Sequence, residues 1–297
     1  MTKYAIALLT ALALTAAAAP ARATPSTQIW IPSTDIQGFG VLHLNYDVYA
    51  RPSKVPLLVL GPTIGVLPFE KIQLEAGFDL MFQGVEALDK YPIYFHAKAG
   101  TPEDSMFKWS PAIAAGIYNV GIKPGVTMQN VGYAELARTF PVIVRLSLGY
   151  YWGNAAILRT PIGGDLTLGT EPDNHGFLAS WDRVMKEITD KLWLCVDLQQ
   201  GQNMLGAING GFGWSFTKDI SVILAYNHYW NEAMAGKDTV TVQIDINMFS
   251  PPDAPPAPPA AEPATGPADK PSAPAAAPAA SPADKATDIS PDKPAVP

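Results

Sequence analysis

The chain has 297 residues, a formal net charge of -7, 16% charged residues and one cysteine. A disulfide scaffold and a zinc knuckle are excluded by that single thiol, and the acidic balance argues against a polybasic nucleic-acid binder. The charge is split unevenly, +2 over residues 1–23, -6 over 24–250 and -3 over 251–297, which separates three segments.

Lys3 precedes an apolar run from Tyr4 to Ala19, and Ala21-Arg22-Ala23 supplies small residues two apart. This predicts a secretory signal peptide over 1–23, cleaved after Ala23. A transmembrane helix is the rival reading, but the run falls short of the ~20 residues that span a bilayer. Cys195 is far from the cleavage point and offers no lipidation site there. No later apolar stretch is long enough for a spanning helix, so any insertion of residues 24–250 must use strands.

Period-two alternation dominates from residue 28 to 249. In the run 71–83, Ile72, Leu74, Ala76, Phe78, Leu80 and Phe82 share one side, while Lys71, Gln73, Glu75, Gly77, Asp79, Met81 and Gln83 share the other. Helical spacing would mix the two sets. Similar alternation predicts twelve strands, at about 39–49, 56–67, 71–83, 91–99, 110–119, 127–137, 141–152, 176–185, 190–199, 206–216, 220–230 and 239–249. Most are close to the ~9–11 residues of a tilted membrane-crossing strand, and longer than the ~5–6 of sandwich strands.

The connections alternate too. Tight turns are expected at 68–70, 138–140, 186–189 and 217–219, all after even-numbered strands. Longer linkers at 84–90, 120–126, 154–175, 200–205 and 231–238 follow odd-numbered ones. Short periplasmic turns and long external loops have that asymmetry. The connection 100–109 breaks it. Aromatic residues near strand ends, among them Tyr49, Phe69, Tyr118, Phe140, Trp152 and Trp230, are candidates for girdles at the two rims.

The signal peptide, the alternating segments KIQLEAGFDLMFQG and TFPVIVRLSLGYYWG, and the last strand TVTVQIDINMF together resemble bacterial outer-membrane β-barrels of the porin-like type. The resemblance covers residues 28–249 and is one of architecture. It implies an all-β fold, a closed antiparallel transmembrane β-barrel of about 12 strands, placed in the bacterial outer membrane. Phe249 resembles the terminal aromatic of that class, although it falls on the polar parity of its strand.

Residues 251–297 hold 15 of the 29 prolines, with Ala, Asp, Lys and Ser making up most of the rest. Prolines lack the donor a sheet needs, and the segment has few apolar side chains to offset ordering entropy. A disordered Pro/Ala-rich tail is expected, reaching into the periplasm. Its echoes of Pro-Ala-Asp-Lys are either compositional drift or a motif for peptidoglycan or a periplasmic protein.

With oily faces toward lipid, the inner wall is expected to receive His43, Asn45, Asp47, Lys71, Glu75, Asp79, His96, Lys98, Glu135, Arg145, Asp197 and Asp245. These groups either line a narrow bore for small polar solutes, with acidic excess favouring cations, or pair across strands and close it. The longest loop carries Arg159, Asp165, Glu171 and His175, which could constrict a pore, bind an external ligand or form a solvated cap. No metal or haem spacing links the four histidines, and no cofactor is expected. No plug domain or nucleotide-binding loop is visible.

The leading expectation is therefore a non-enzymatic channel for passive passage of small hydrophilic solutes. Its rivals are a structural envelope barrel tethered through its tail, a soluble all-β periplasmic protein, and an outer-membrane lipid hydrolase, which would need a Ser, a His and an acid clustered near one rim; Ser147 and His96 are both expected inside but on different strands.

Overall fold

The computed structural model describes residues 26–250 except 53, 85–87 and 141–143. The expected signal peptide and C-terminal tail lie outside the described residues. Fourteen strands are described: β1 (Leu42–Ala50), β2 (Leu57–Gly65), β3 (Gln73–Gln83), β4 (Leu88–Thr101), β5 (Ala112–Gly121), β6 (Met128–Phe140), β7 (Val144–Trp152), β8 (Arg159–Pro161), β9 (Thr170–Pro172), β10 (His175–Val184), β11 (Leu192–Gln199), β12 (Ala207–Ser215), β13 (Ile220–Tyr229) and β14 (Thr239–Met248). Twelve of them form one closed antiparallel barrel, and β8 and β9 pair as a separate hairpin in the loop between β7 and β10.

Closure is made by β1 and β14, in register from Leu42↔Met248 to Ala50↔Val240. Every other barrel neighbour is the next barrel strand in sequence, so each backbone ladder finds a partner and no edge remains. Among the described residues no helix is long and apolar enough to cross a membrane.

The barrel is inside out by the standard of a water-soluble protein. Leu148 is 61% exposed and Phe177 55%, whereas Glu135 and Asp197 are 1% and 0%. Leaving a Leu or Phe in water forgoes about 1.5–3 kcal/mol of burial each, so a belt of such side chains around a closed sheet is suited to hydrocarbon. The oily rows do not pack against a second sheet, which removes the soluble sandwich.

The irregular connection at 102–111 has a local cause. Asp104 accepts hydrogen bonds from the Trp109 backbone N–H at 2.6 Å and from Arg138 Nη1 at 2.9 Å. Arg138 also lies over the Trp109 ring, 4.6 Å from its centroid. Thr139 N donates to Glu103 Oε2 at 3.0 Å. The loop thus folds back on the end of β6, which continues through Phe140 where a tight turn was expected.

Two other expectations need correction. Lys71 is exposed in the turn before β3: Val66 N donates to Leu74 O at 2.7 Å, and the strand starts only at Gln73, so inward alternation never reaches residue 71. Tyr49 and Tyr118 point into the barrel instead of joining a lipid-facing girdle.

Candidate functional site

The lumen is shared between the inner wall and the segment 26–38. That segment leaves the start of β1, enters the barrel and doubles back through a bridge between Thr27 and Pro32. Its turn is held by one carboxylate: Asp197 Oδ2 accepts from the backbone N–H of Ile29 and Trp30 at 2.8 Å each and of Ile31 at 3.4 Å. Asp197 Oδ1 accepts from Asn209 Nδ2 at 2.6 Å, which fixes the carboxylate's orientation.

Further ties come from basic groups on the wall. Lys98 Nζ donates to the carbonyls of Ser26 at 2.9 Å, Ser33 at 3.1 Å and Asp35, and pairs with Glu75 at 3.3 Å. Glu75 Oε2 also accepts from Gln37 N at 2.7 Å. Arg145 grips Asp35 with two nitrogens, at 2.7 and 2.9 Å, and reaches Thr34 Oγ1 at 2.6 Å. Such planar two-point pairing fixes position as well as charge.

Apolar contacts complete the plug. Ile31 packs with Val131, Tyr133, Tyr151, Leu158, Leu178 and Leu205, so the first part of the long loop and the loop after β11 also turn inward. Ile29 packs with Cys195, Ile223 and Ala225. The sequence reading found no plug. A usable signal was present, because inner-parity positions such as Cys195, Ile223 and Ala225 are apolar where water would favour polar side chains, and Ile29-Trp30-Ile31 lies just before the first strand.

The opposite half of the lumen stays open as a cavity of about 340 Å³. His43, Asp47, Glu75, Asp79, His96, Lys98 and Asp245 all line it, and its wall extends to Arg51, Gln83 and Met234 near the rim that bears the long loops. His43 Nδ1 lies 2.8 Å from Asn247 Oδ1, and its Nε2 lies 3.4 Å from Asp245 Oδ1. His96 Nε2 is 3.4 Å from Thr63 Oγ1. Glu135, Arg145 and Asp197 face inward but are not among the residues around this cavity. Both Glu135 carboxylate oxygens are buried without a hydrogen-bond partner.

None of the four loop candidates lines the cavity. Arg159 Nε donates to Thr170 Oγ1 at 2.8 Å, bracing the β8–β9 hairpin. Asp165 accepts from Thr167 Oγ1 and backbone N–H, which hold its pKa below the ordinary carboxylate value. Glu171 is exposed on β9, and the His175 ring lies against Tyr150, with Nδ1 2.7 Å from the phenol oxygen. Ser147 and His96 are not brought together, since β5 and β6 stand between their strands. Among the described residues no three His, Cys, Asp or Glu side chains are grouped to hold a metal ion.

No protein-family model and no curated protein matches the chain. Solved structures with a similar fold include the NanC porin, at 9% identity and TM-score 0.44, covering 70% of this chain and 98% of that one. An outer-membrane channel from Pseudomonas putida F1 is 10% identical with TM-score 0.45, covering 76% of this chain and 99% of that one. OmpF of Salmonella typhi, solved with daunomycin, is 7% identical with TM-score 0.35, covering 70% and 96%.

Proposed function

We propose that this chain is an outer-membrane channel for passive passage of small hydrophilic solutes, narrowed from within by residues 26–38. The observation that carries the reading is the cavity beside that segment, lined by charged as well as apolar side chains and extending toward one rim of a lipid-compatible barrel. Charged walls in a low-dielectric surround concentrate counter-ions, and Asp47, Asp79 and Asp245 favour cationic or neutral solutes over anions. The rim with long loops is assigned to the outside and the rim with most of the short turns to the periplasm, where the tail would contact peptidoglycan or a periplasmic protein.

Planar-bilayer recording of the purified full-length protein tests this. Discrete conductance steps with cation preference are expected, and their reproducible absence from correctly inserted protein defeats the reading. A closed structural barrel is the second reading, favoured by the buried Lys98–Glu75 pair and its carbonyl ties to the segment. It predicts silence in the full-length protein and conductance only after deletion of 26–38.

A further inference from the structure

We propose that Glu135 is the standby acceptor of a latch: it is held without a partner while residues 26–38 occupy the lumen, and it takes up Arg145 and Lys98 when that segment withdraws. The proposal gives the channel reading its moving part and rests on that reading only for the effect on conductance.

Five carboxylates are buried among the described residues: Glu75, Glu135, Asp182, Asp197 and Asp245. Four of them are answered. Glu75 pairs with Lys98 and accepts from Gln37 N, while Asp182 accepts from Trp193 Nε1 at 3.1 Å and from Gln28 Nε2 at 3.4 Å. Asp197 has the backbone N–H groups of the inner segment, and Asp245 has His43 and Ser221. Glu135 has no hydrogen bond to either oxygen, and among the described residues it forms no ion pair. A carboxylate so enclosed raises the free energy of this arrangement relative to any in which it is paired.

Two cations stand near enough to supply that pairing. Lys98 and Arg145 are the positive charges that act most strongly on Glu135, and Asp197 and Asp35 add repulsion. Across the β6–β7 ladder Glu135 faces Gly149, and its Cβ and Cγ lie 3.0 and 3.1 Å from where a Cβ of that glycine would stand. The side chain therefore leans toward β7, the strand that carries Arg145. On its other side it faces Ala114 of β5, beyond which β4 carries Lys98.

Both cations are committed to residue 35, Arg145 to its carboxylate and Lys98 to its carbonyl. Lys98 also holds the carbonyls of Ser26 and Ser33. Withdrawal of the segment would leave Arg145 with Glu103, 3.4 Å from its Nε, and Lys98 with Glu75. It would also remove the Asp35 charge that repels Glu135. Turning to Glu135 gives the freed donors a new acceptor and the orphan carboxylate its partners. The loss of one set of contacts is then offset by another, and the segment exchanges between two discrete arrangements.

Glu135→Gln keeps the shape and removes the standby charge. In the full-length protein in detergent, amide exchange at Ile29, Trp30 and Ile31 should slow about threefold or more, because the withdrawn state loses its compensation. Glu135→Asp, which keeps a carboxylate, should exchange at a rate nearer to the parent's. Asp35→Asn takes the partner from Arg145 in advance, so in that background Arg145 already turns to Glu135. There Glu135→Gln should lower the midpoint of heat-modifiability on gels, whereas in the parent it raises the midpoint or leaves it unchanged. Exchange that is unchanged or faster in Glu135→Gln, or a midpoint lowered alike in both backgrounds, would overturn the proposal. Because exchange needs no conduction, the two readings fail separately. A silent barrel with slowed exchange keeps the latch and removes the channel; a conducting one whose exchange ignores Glu135→Gln keeps the channel and removes the latch.

Discussion

Lys98 on β4 stands 3.3 Å from Glu75 on β3, with the two side chains only 4% and 1% exposed. The same ammonium holds carbonyls of residues 26, 33 and 35, so one buried cation joins the wall to the inner segment. Removing one member of such a pair leaves its partner charged and desolvated. Lys98→Met should therefore destabilise the folded barrel by about 3–5 kcal/mol, and Lys98→Met with Glu75→Gln should recover part of that loss. Urea unfolding in lipid vesicles measures both; equal stability of the single variant and the parent would refute the pairing's role.

Asp197 offers a sharper test of how the inner segment is held. Replacing it by Ala removes the shared acceptor of three backbone N–H groups and leaves those donors buried, at roughly 1–3 kcal/mol for each unsatisfied group. Amide exchange at Ile29, Trp30 and Ile31 should accelerate at least about tenfold, while β1 and β14 keep their protection. Bilayer conductance should rise in the same variant. Unaltered exchange at those amides would show that the apolar contacts of Ile29 and Ile31 suffice.

The barrel was legible in the sequence because alternation reports which side of a strand meets an apolar medium. Runs such as Leu42 to Val48 therefore gave both the strand and its facing. The inner segment was not legible by the same rule: residues 26–38 form no long strand, and their hold on the wall depends on partners far along the chain, such as Ile29 with Asp197 and Asp35 with Arg145. Nor could spacing tell that, among the described residues, Asp47 and Asp79 form no ion pair with Lys or Arg while Glu75 does. That difference arises from register, which puts Glu75 directly opposite Lys98 and Asp79 opposite Tyr94.

Two glycines should respond oppositely to one added methyl group. At Gly61 the neighbours are the tips of Asp79 and Asn45, which can swing away, so Gly61→Ala should fold normally. At Gly100 the obstacle is backbone, the Ile113 carbonyl and Ala114 Cα on the adjacent strand. Gly100→Ala must part β4 from β5 and should cost about 1–3 kcal/mol, as overpacking in fixed surroundings does. Heat-modifiability on gels separates the two: a normal midpoint for Gly61→Ala and a lowered one for Gly100→Ala.

The loop at 102–111 should be sensitive to acid through Asp104. The hydrogen bond from Arg138, with that from the Trp109 backbone N–H, holds its carboxyl below the ordinary carboxylate pKa. A depressed carboxylate pKa contributes stability that is fully present above the unfolded value, ~3.9, and disappears as pH falls through the lower folded value. The Trp109 ring under Arg138 gives the readout, because protonating Asp104 removes one of the three groups that hold the guanidinium over it, leaving the Ser110 carbonyl and Glu103. Tryptophan fluorescence of the full-length protein, followed from pH 6 to about 2, should show a transition centred below ~3.9 that Arg138→Gln abolishes and Lys108→Gln leaves in place. Asp104 is open to solvent, so raising salt should also shrink the transition. A transition of equal size in Arg138→Gln would assign it to another group.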